Sequence, residues 1–67
     1  MKPENPAEAM KEKGNQEFKK RNFDEALNYY DEAIKLNSEE PLYYNNKAAA
    51  YIEMKEYESA LAEIQRA

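Results

Sequence analysis

Apolar residues recur at spacings of three and four in four stretches of the chain, and short polar breaks separate the stretches. Met10, Gly14 and Phe18 form the first stripe, and Phe23, Ala26, Leu27, Tyr30, Ala33 and Ile34 the second. Tyr44, Ala48, Tyr51 and Ile52 form the third, and Ala60, Leu61, Ile64 and Ala67 the fourth. This period is that of amphipathic helices rather than of strands. The punctuation agrees. Asn5-Pro6-Ala7-Glu8 reads as an N-cap, a proline at the first helical position and a glutamate closing a capping box. A first helix from Pro6 to about Lys20 follows. Arg21-Asn22 is a tight connection, and Asn22 is expected to cap a second helix with Asp24 and Glu25 in its first turn. That helix should end near Leu36-Asn37. Ser38 is expected to cap the third, with Pro41 inside its first turn. Lys55-Glu56 is a short turn without a good N-cap, and a fourth helix starts at Tyr57.

Sliding the chain until Lys13 falls on Lys47 superimposes the first half on the second, a shift of about 34 residues. Lys13, Ala26, Leu27 and Ala33 then meet Lys47, Ala60, Leu61 and Ala67 as identities. Met10 meets Tyr44, Gly14 meets Ala48, Phe18 meets Ile52, Phe23 meets Tyr57 and Tyr30 meets Ile64. Large positions repeat as large and small as small, as ridges fitting grooves require. A glycine inside a helix costs roughly 1 kcal/mol relative to alanine. Gly14 therefore predicts a helix crossing too close for a larger side chain, and Ala26 and Ala33 invite the same reading. The fold class expected is all-α: two tandem helix–turn–helix repeats of a solenoid, with four helices. Residues 1–5 would be a leader, 6–38 the first repeat, and 39–67 a second repeat truncated at its C-terminal end.

Composition narrows the function classes. Leu, Ile and Phe total nine of 67 residues and Val is absent, which by itself leans toward disorder. Ten Ala, six Tyr and three Met outweigh that leaning. Alanine is the best helix former, and tyrosine carries a large apolar body with a polar tip. There is no Cys, no His and no Thr, and Ser occurs only at Ser38 and Ser59. Disulfides, thiolate metal sites and a nucleophile–base pair are thereby excluded or remote. No enzyme activity, cofactor or metal is expected.

The net charge is −4, which argues against nucleic acid as a partner. Residues 1–22 hold six basic and four acidic groups, and residues 23–67 four basic and ten acidic. No apolar run is of transmembrane length, and the start lacks a signal-peptide core. A soluble cytoplasmic protein with no membrane partner is the expectation.

The pattern resembles the tetratricopeptide repeat, a helix–turn–helix unit of about 34 residues. Gly14-Asn15, Phe23-Asp24-Glu25-Ala26, Tyr30 and Ala33 carry the resemblance in the first unit. Tyr44, Ala48, Tyr51, Tyr57, Ala60, Leu61 and Ala67 carry it in the second, so that it covers about residues 7–67. Two segments are more particular. Lys11-Glu12-Lys13-Gly14-Asn15 and Tyr44-Asn45-Asn46-Lys47-Ala48-Ala49-Ala50-Tyr51 look like the first two repeats of Hop-type co-chaperone domains. Those domains bind the C-terminal Glu-Glu-Val-Asp tails of the 70- and 90-kDa heat-shock chaperones. The resemblance implies a carboxylate clamp whose first-repeat lysine and asparagine fall on Lys11 and Asn15, and whose second-repeat asparagine falls on Asn46. It also implies a weaker apolar wall at Phe18 and Ala49. The family's clamp takes a further Lys and Arg from a third repeat, which these 67 residues do not include.

The chemistry of those residues can be read without the family. Lys11 and Asn15 are four apart and share one helical face, beside the Met10–Gly14–Phe18 stripe. Asn46 would face the same groove from the neighbouring inner helix. An ammonium and two amide donors suit a carboxylate. The rival reading is ordinary solvated polarity, and a purely structural scaffold is the alternative function. The tyrosines read as core, Lys19-Lys20-Arg21 as a solvated helix end, and Glu39-Glu40 and Glu56–Glu58 as solvated helix starts. The Ala60–Leu61–Ile64–Ala67 stripe is expected to stay partly open and to drive homo-oligomerisation, with helix exchange about Asn37–Pro41 or Lys55-Glu56 as one route.

Overall fold

Two of the helices open on a proline, and the same two close on a residue of left-handed backbone. The computed structural model describes residues 5–66, which form α1 (Pro6–Lys19), α2 (Phe23–Leu36), α3 (Pro41–Glu53) and α4 (Tyr57–Arg66). Among the described residues there is no strand. Asn5 caps α1 as expected: its Oδ1 accepts from the backbone N–H of Ala7 at 3.0 Å and of Glu8 at 3.4 Å. The capping box is not completed in return, because the Glu8 carboxylate bonds to Lys11 and Tyr43 instead.

Two caps differ from expectation. Ser38 does not cap α3. Glu40 does, its Oε2 accepting from the Leu42 N–H at 3.3 Å. Pro41 sets this start, since the residue before a proline is pushed to extended backbone, and Glu40 lies at φ −95, ψ 108. Asn22 occupies the cap position of α2 but makes no side-chain cap bond, and its amide donates to Glu17 Oε1 at 3.0 Å. Asn22 also belongs to the end of α1, where its own N–H bonds back to the Glu17 carbonyl.

That helix end recurs at the matching place in the second half. Arg21 and Lys55 both have φ 65, in the left-handed region. The N–H groups of Arg21 and Asn22 bond to the carbonyls of Phe18 and Glu17, and those of Lys55 and Glu56 to Ile52 and Tyr51. This is the Schellman arrangement at both ends. The period seen in side-chain sizes is thus also a period of the backbone.

Each helix packs mainly on its neighbours in sequence, α1 on α2, α2 on α3 and α3 on α4. The helix pairs form a layer of 41 × 26 × 13 Å. Its thin dimension is barely one helix diameter, so every helix keeps an open side. The core consists of small residues with tyrosines set among them. Ala7, Ala26, Ala33, Ala48, Ala50 and Ala60 are buried, together with Tyr30, Tyr43 and Tyr44. Tyr43 reaches between α1 and α2 to pack with Ala7 and Ala33, flanked by Met10 and Ile34.

The α3 face is rotated from the expected one. Tyr44 and Ala48 are buried as read, but Ile52 is 45% exposed, and Tyr43 and Ala50 are buried in addition. A helix between two neighbours buries two stripes, whereas period counting returns one. On α4, Ala60 is buried while Leu61 and Ile64 are half-exposed. Ala67 of the expected stripe lies outside the described residues.

Candidate functional site

The groove begins with a missing side chain. A Cβ on Gly14 would lie 2.5 Å from Tyr30 Cε1 and 2.7 Å from its Cδ1, closer than non-bonded atoms approach. The absent methyl lets the Tyr30 ring close onto α1 at this point. The Tyr30 hydroxyl then donates to Asn15 Oδ1, one residue further along α1. Burial pushes the Tyr30 pKa up, so the phenol stays protonated and remains a donor.

Asn15, Phe18 and Lys19 of α1, Tyr30 of α2, and Asn46 and Ala49 of α3 line an open cavity of about 290 Å³. Four of the five sequence-picked residues thus meet in one concavity: Asn15, Asn46, Phe18 and Ala49. Phe18 is held from behind by Phe23, edge to face with centroids 5.3 Å apart. The Arg21 guanidinium lies 5.0 Å from the Phe23 ring centroid and pairs with Glu53 on α3 at 3.4 Å.

Lys11 is not among the lining residues. Its ammonium lies 2.9 Å from Glu8 Oε1. The other oxygen of that carboxylate accepts from the Tyr43 hydroxyl at 2.9 Å. The contact with Lys11 and then that with Tyr43 hold the Glu8 pKa below its usual value, and Glu8 in turn raises that of Lys11. Tyr43 is pushed up to about 12, first by burial and then by its bond to Glu8. The chain's own carboxylate therefore occupies Lys11, and an incoming carboxylate must compete with it. Being a partly exposed i,i+3 pair, it is weak and yields readily.

Two lining residues were not singled out as site residues in the sequence. Lys19 reads as a helix-end charge, yet it stands one turn beyond Asn15 and sets a cation at the cavity. Tyr30 reads as core, which it is, and only its hydroxyl belongs to the groove. The i,i+4 spacing from Asn15 to Lys19 is the signal that could have found the lysine.

A second polar cluster lies away from the groove. Lys47 of α3 is buried, with Asp31 of α2 at 2.7 Å and Glu63 of α4 at 3.4 Å. Burial works to lower the Lys47 pKa, but Asp31, Glu63 and Tyr51 together outweigh it and the net shift is upward. Arg66 reaches Glu63 at 3.5 Å. Among the described residues no group of three or more acidic side chains is placed to hold a metal ion, and no helix is long and apolar enough to cross a membrane.

The tetratricopeptide repeat family model matches residues 7–40. An Hsp70-Hsp90 organising protein of Plasmodium falciparum is 51% identical over 49 residues, 73% of this chain and 9% of that protein. Outer envelope protein 64, chloroplastic, of Arabidopsis thaliana is 51% identical over 51 residues, 76% of this chain and 9% of that protein. An Hsp70-Hsp90 organizing protein of Triticum aestivum is 40% identical over 63 residues, 91% of this chain and 11% of that protein. The chain spans about a tenth of the length of these relatives. No solved structure matches it significantly.

Proposed function

This chain belongs to the tetratricopeptide repeat family and is a protein–protein interaction module, and from that premise we propose that its groove binds the carboxylate-bearing C-terminal tail of a heat-shock chaperone of the 70- or 90-kDa class. One observation carries the reading: Asn15 and Asn46, from different helices, line a single cavity with Phe18 and Ala49. Amide donors beside an apolar wall suit a peptide that ends in a carboxylate and carries an apolar side chain before it. Lys11, one turn before Asn15, supplies a positive charge once it leaves Glu8. Residues 6–38 and 39–67 then act as two repeats contributing to one groove. The names of two relatives, organising proteins for Hsp70 and Hsp90, support the choice of partner.

The 67 residues hold three of the five polar groups that the resemblance implies. A hydrogen bond to a charged group contributes about 1.5–3 kcal/mol, so two missing cations cost about 3–6 kcal/mol. That is roughly two to four decades of affinity, and a tail bound at micromolar strength by a complete clamp is bound here at about millimolar strength. An amide NMR titration with a peptide ending Glu-Glu-Val-Asp tests this against its C-terminally amidated form. Saturable shifts at Asn15, Asn46 and Lys11 that vanish on amidation are expected. A featureless titration at millimolar peptide refutes the reading for this chain.

A second reading, self-assembly without peptide binding, rests on α4. Tyr57, Leu61 and Ile64 lie at i, i+4 and i+7 and are 61%, 55% and 50% exposed. Such a stripe is covered in a second copy of the chain by the same physics that packs α2 on α3. Sedimentation of the whole chain at high concentration should then show a dimer or larger species that Leu61→Lys dissociates, whereas a monomer throughout would end this reading.

A further inference from the structure

We propose that Tyr30 is a positioning residue of the groove, whose hydroxyl locks the Asn15 amide so that its NH2 group, and not its oxygen, meets the carboxylate of a bound peptide. The inference rests on the carboxylate-binding reading of the groove. An asparagine side chain can turn over about its last bond and exchange its acceptor oxygen for its donor nitrogen. One orientation attracts a carboxylate and the other repels it. In this chain the choice is already made before a ligand arrives, because Tyr30 donates its O–H to Asn15 Oδ1. What Asn15 has left to offer is two N–H donors.

Packing explains why Tyr30 can hold this position. The residue is 1% exposed, and an unpaired hydroxyl there would leave a polar group without water. Its ring rests where Gly14 has no Cβ, which brings the hydroxyl within reach of residue 15. Ala26 and Ala33, four before and three after Tyr30, are fully buried, so α2 lies close to its neighbours along this face. Both Tyr30 and Asn15 line the cavity, with Asn46 facing from α3. The glycine, the tyrosine and the asparagine are thus one device. The first makes room, the second aims, and the third donates.

The test uses the whole chain with Tyr30→Phe, which keeps the ring on Gly14 and removes only the hydroxyl. Retained helicity is checked by circular dichroism. Peptides ending Glu-Glu-Val-Asp with a free and with an amidated C-terminus are titrated by NMR. The preference for the free carboxylate should fall about three- to tenfold in Tyr30→Phe, the effect of one misdirected hydrogen bond. In an Asn15→Ala background the same substitution should have no further effect, since its target is gone. An unchanged preference, an equal loss for both peptides, or an additive loss in the Asn15→Ala background overturns the proposal. Should the unsubstituted chain prefer neither peptide, the groove reading fails on its own. The locking is then judged from the Asn15 side-chain NH2 resonances of the free chain. A shift in Tyr30→Phe at Asn15 but not at Asn46 upholds it, and no shift overturns it.

Discussion

Lys47 on α3 lies 3.4 Å from Glu63 on α4, with 10% and 7% of the two side chains exposed. These are the buried charged residues among those described. Asp31 on α2 completes the group at 2.7 Å from the same ammonium, so one lysine ties three helices together. The second carboxylate oxygen of Glu63 is buried without a hydrogen-bond partner. The cluster is therefore sensitive to which partner is removed.

Lys47→Ala leaves Glu63 as a buried carboxylate with only the exposed Arg66 opposite it. Breaking a buried pair in this way costs about 3–5 kcal/mol, while a chain of this size holds roughly 3–10 kcal/mol in total. Thermal circular dichroism should show the Lys47→Ala midpoint lowered by at least about 10 °C. Asp31→Asn, which alters the half-exposed carboxylate, should lower the midpoint by only a few degrees. A folded Lys47→Ala chain with an unchanged midpoint would show that the cluster contributes nothing.

Stability should be lost on both sides of neutrality, and more steeply on the alkaline side. Tyr43 has its pKa raised from 10.0 to about 12 by burial and by Glu8. Its contribution is complete below pH 10 and disappears as pH rises from 10 to 12. Lys47, also raised above 10.5, loses its contribution in the same direction. Glu8 is depressed below 4.5, so its contribution is present above that pH and is lost as pH falls through the lowered value. Urea midpoints measured across pH should form a plateau between about 5 and 9. In Tyr43→Phe the alkaline fall should be shallower, and an identical fall would exclude Tyr43 as its source.

Gly14→Ala should destabilise the chain although it improves helix propensity. The propensity gain is about 1 kcal/mol. The new methyl would stand 2.5 Å from a buried ring that cannot swing into solvent, and overpacking of this kind costs about 1–3 kcal/mol. A net loss on the order of 1 kcal/mol is expected in chemical denaturation. If the alanine variant is the more stable, the α1–α2 approach is looser than described.

Lys55→Gly should stabilise. A non-glycine residue in the left-handed region costs roughly 1–2 kcal/mol, and Lys55 sits there at φ 65 with its side chain exposed. Part of that gain is offset by the greater freedom of glycine in the unfolded chain. A rise of about 5 °C in the thermal midpoint is expected for a domain of this length. The parallel Arg21→Gly should yield less, because Arg21 also contacts Glu53 and Phe23.

The helices, their order and the repeat period were legible in the residues alone. Each rests on local physics: apolar spacing of three and four, prolines at helix starts, and small residues repeating opposite small ones in the size pattern. Asn5 capped α1 as its position implied. Ser38 did not cap α3, since Pro41 decided where the helix could begin and Glu40 was next to it. Asn15, Phe18, Asn46 and Ala49 were picked from spacing and resemblance, and they line one cavity.

What the residues could not express was the choice of polar partner. Lys11 turns to Glu8, Tyr43 bonds to the same Glu8 from another helix, Lys47 gathers Asp31 and Glu63, and Tyr30 occupies the Asn15 oxygen. Helix period is a property of a few consecutive residues and survives in the sequence as a rhythm. A hydrogen bond or ion pair between helices depends on ångström-scale distances set by where two helices cross. That crossing is settled by all the side chains packed between them, so which helix answers each charge, and which way the Asn15 amide points, was decided only by the assembled layer.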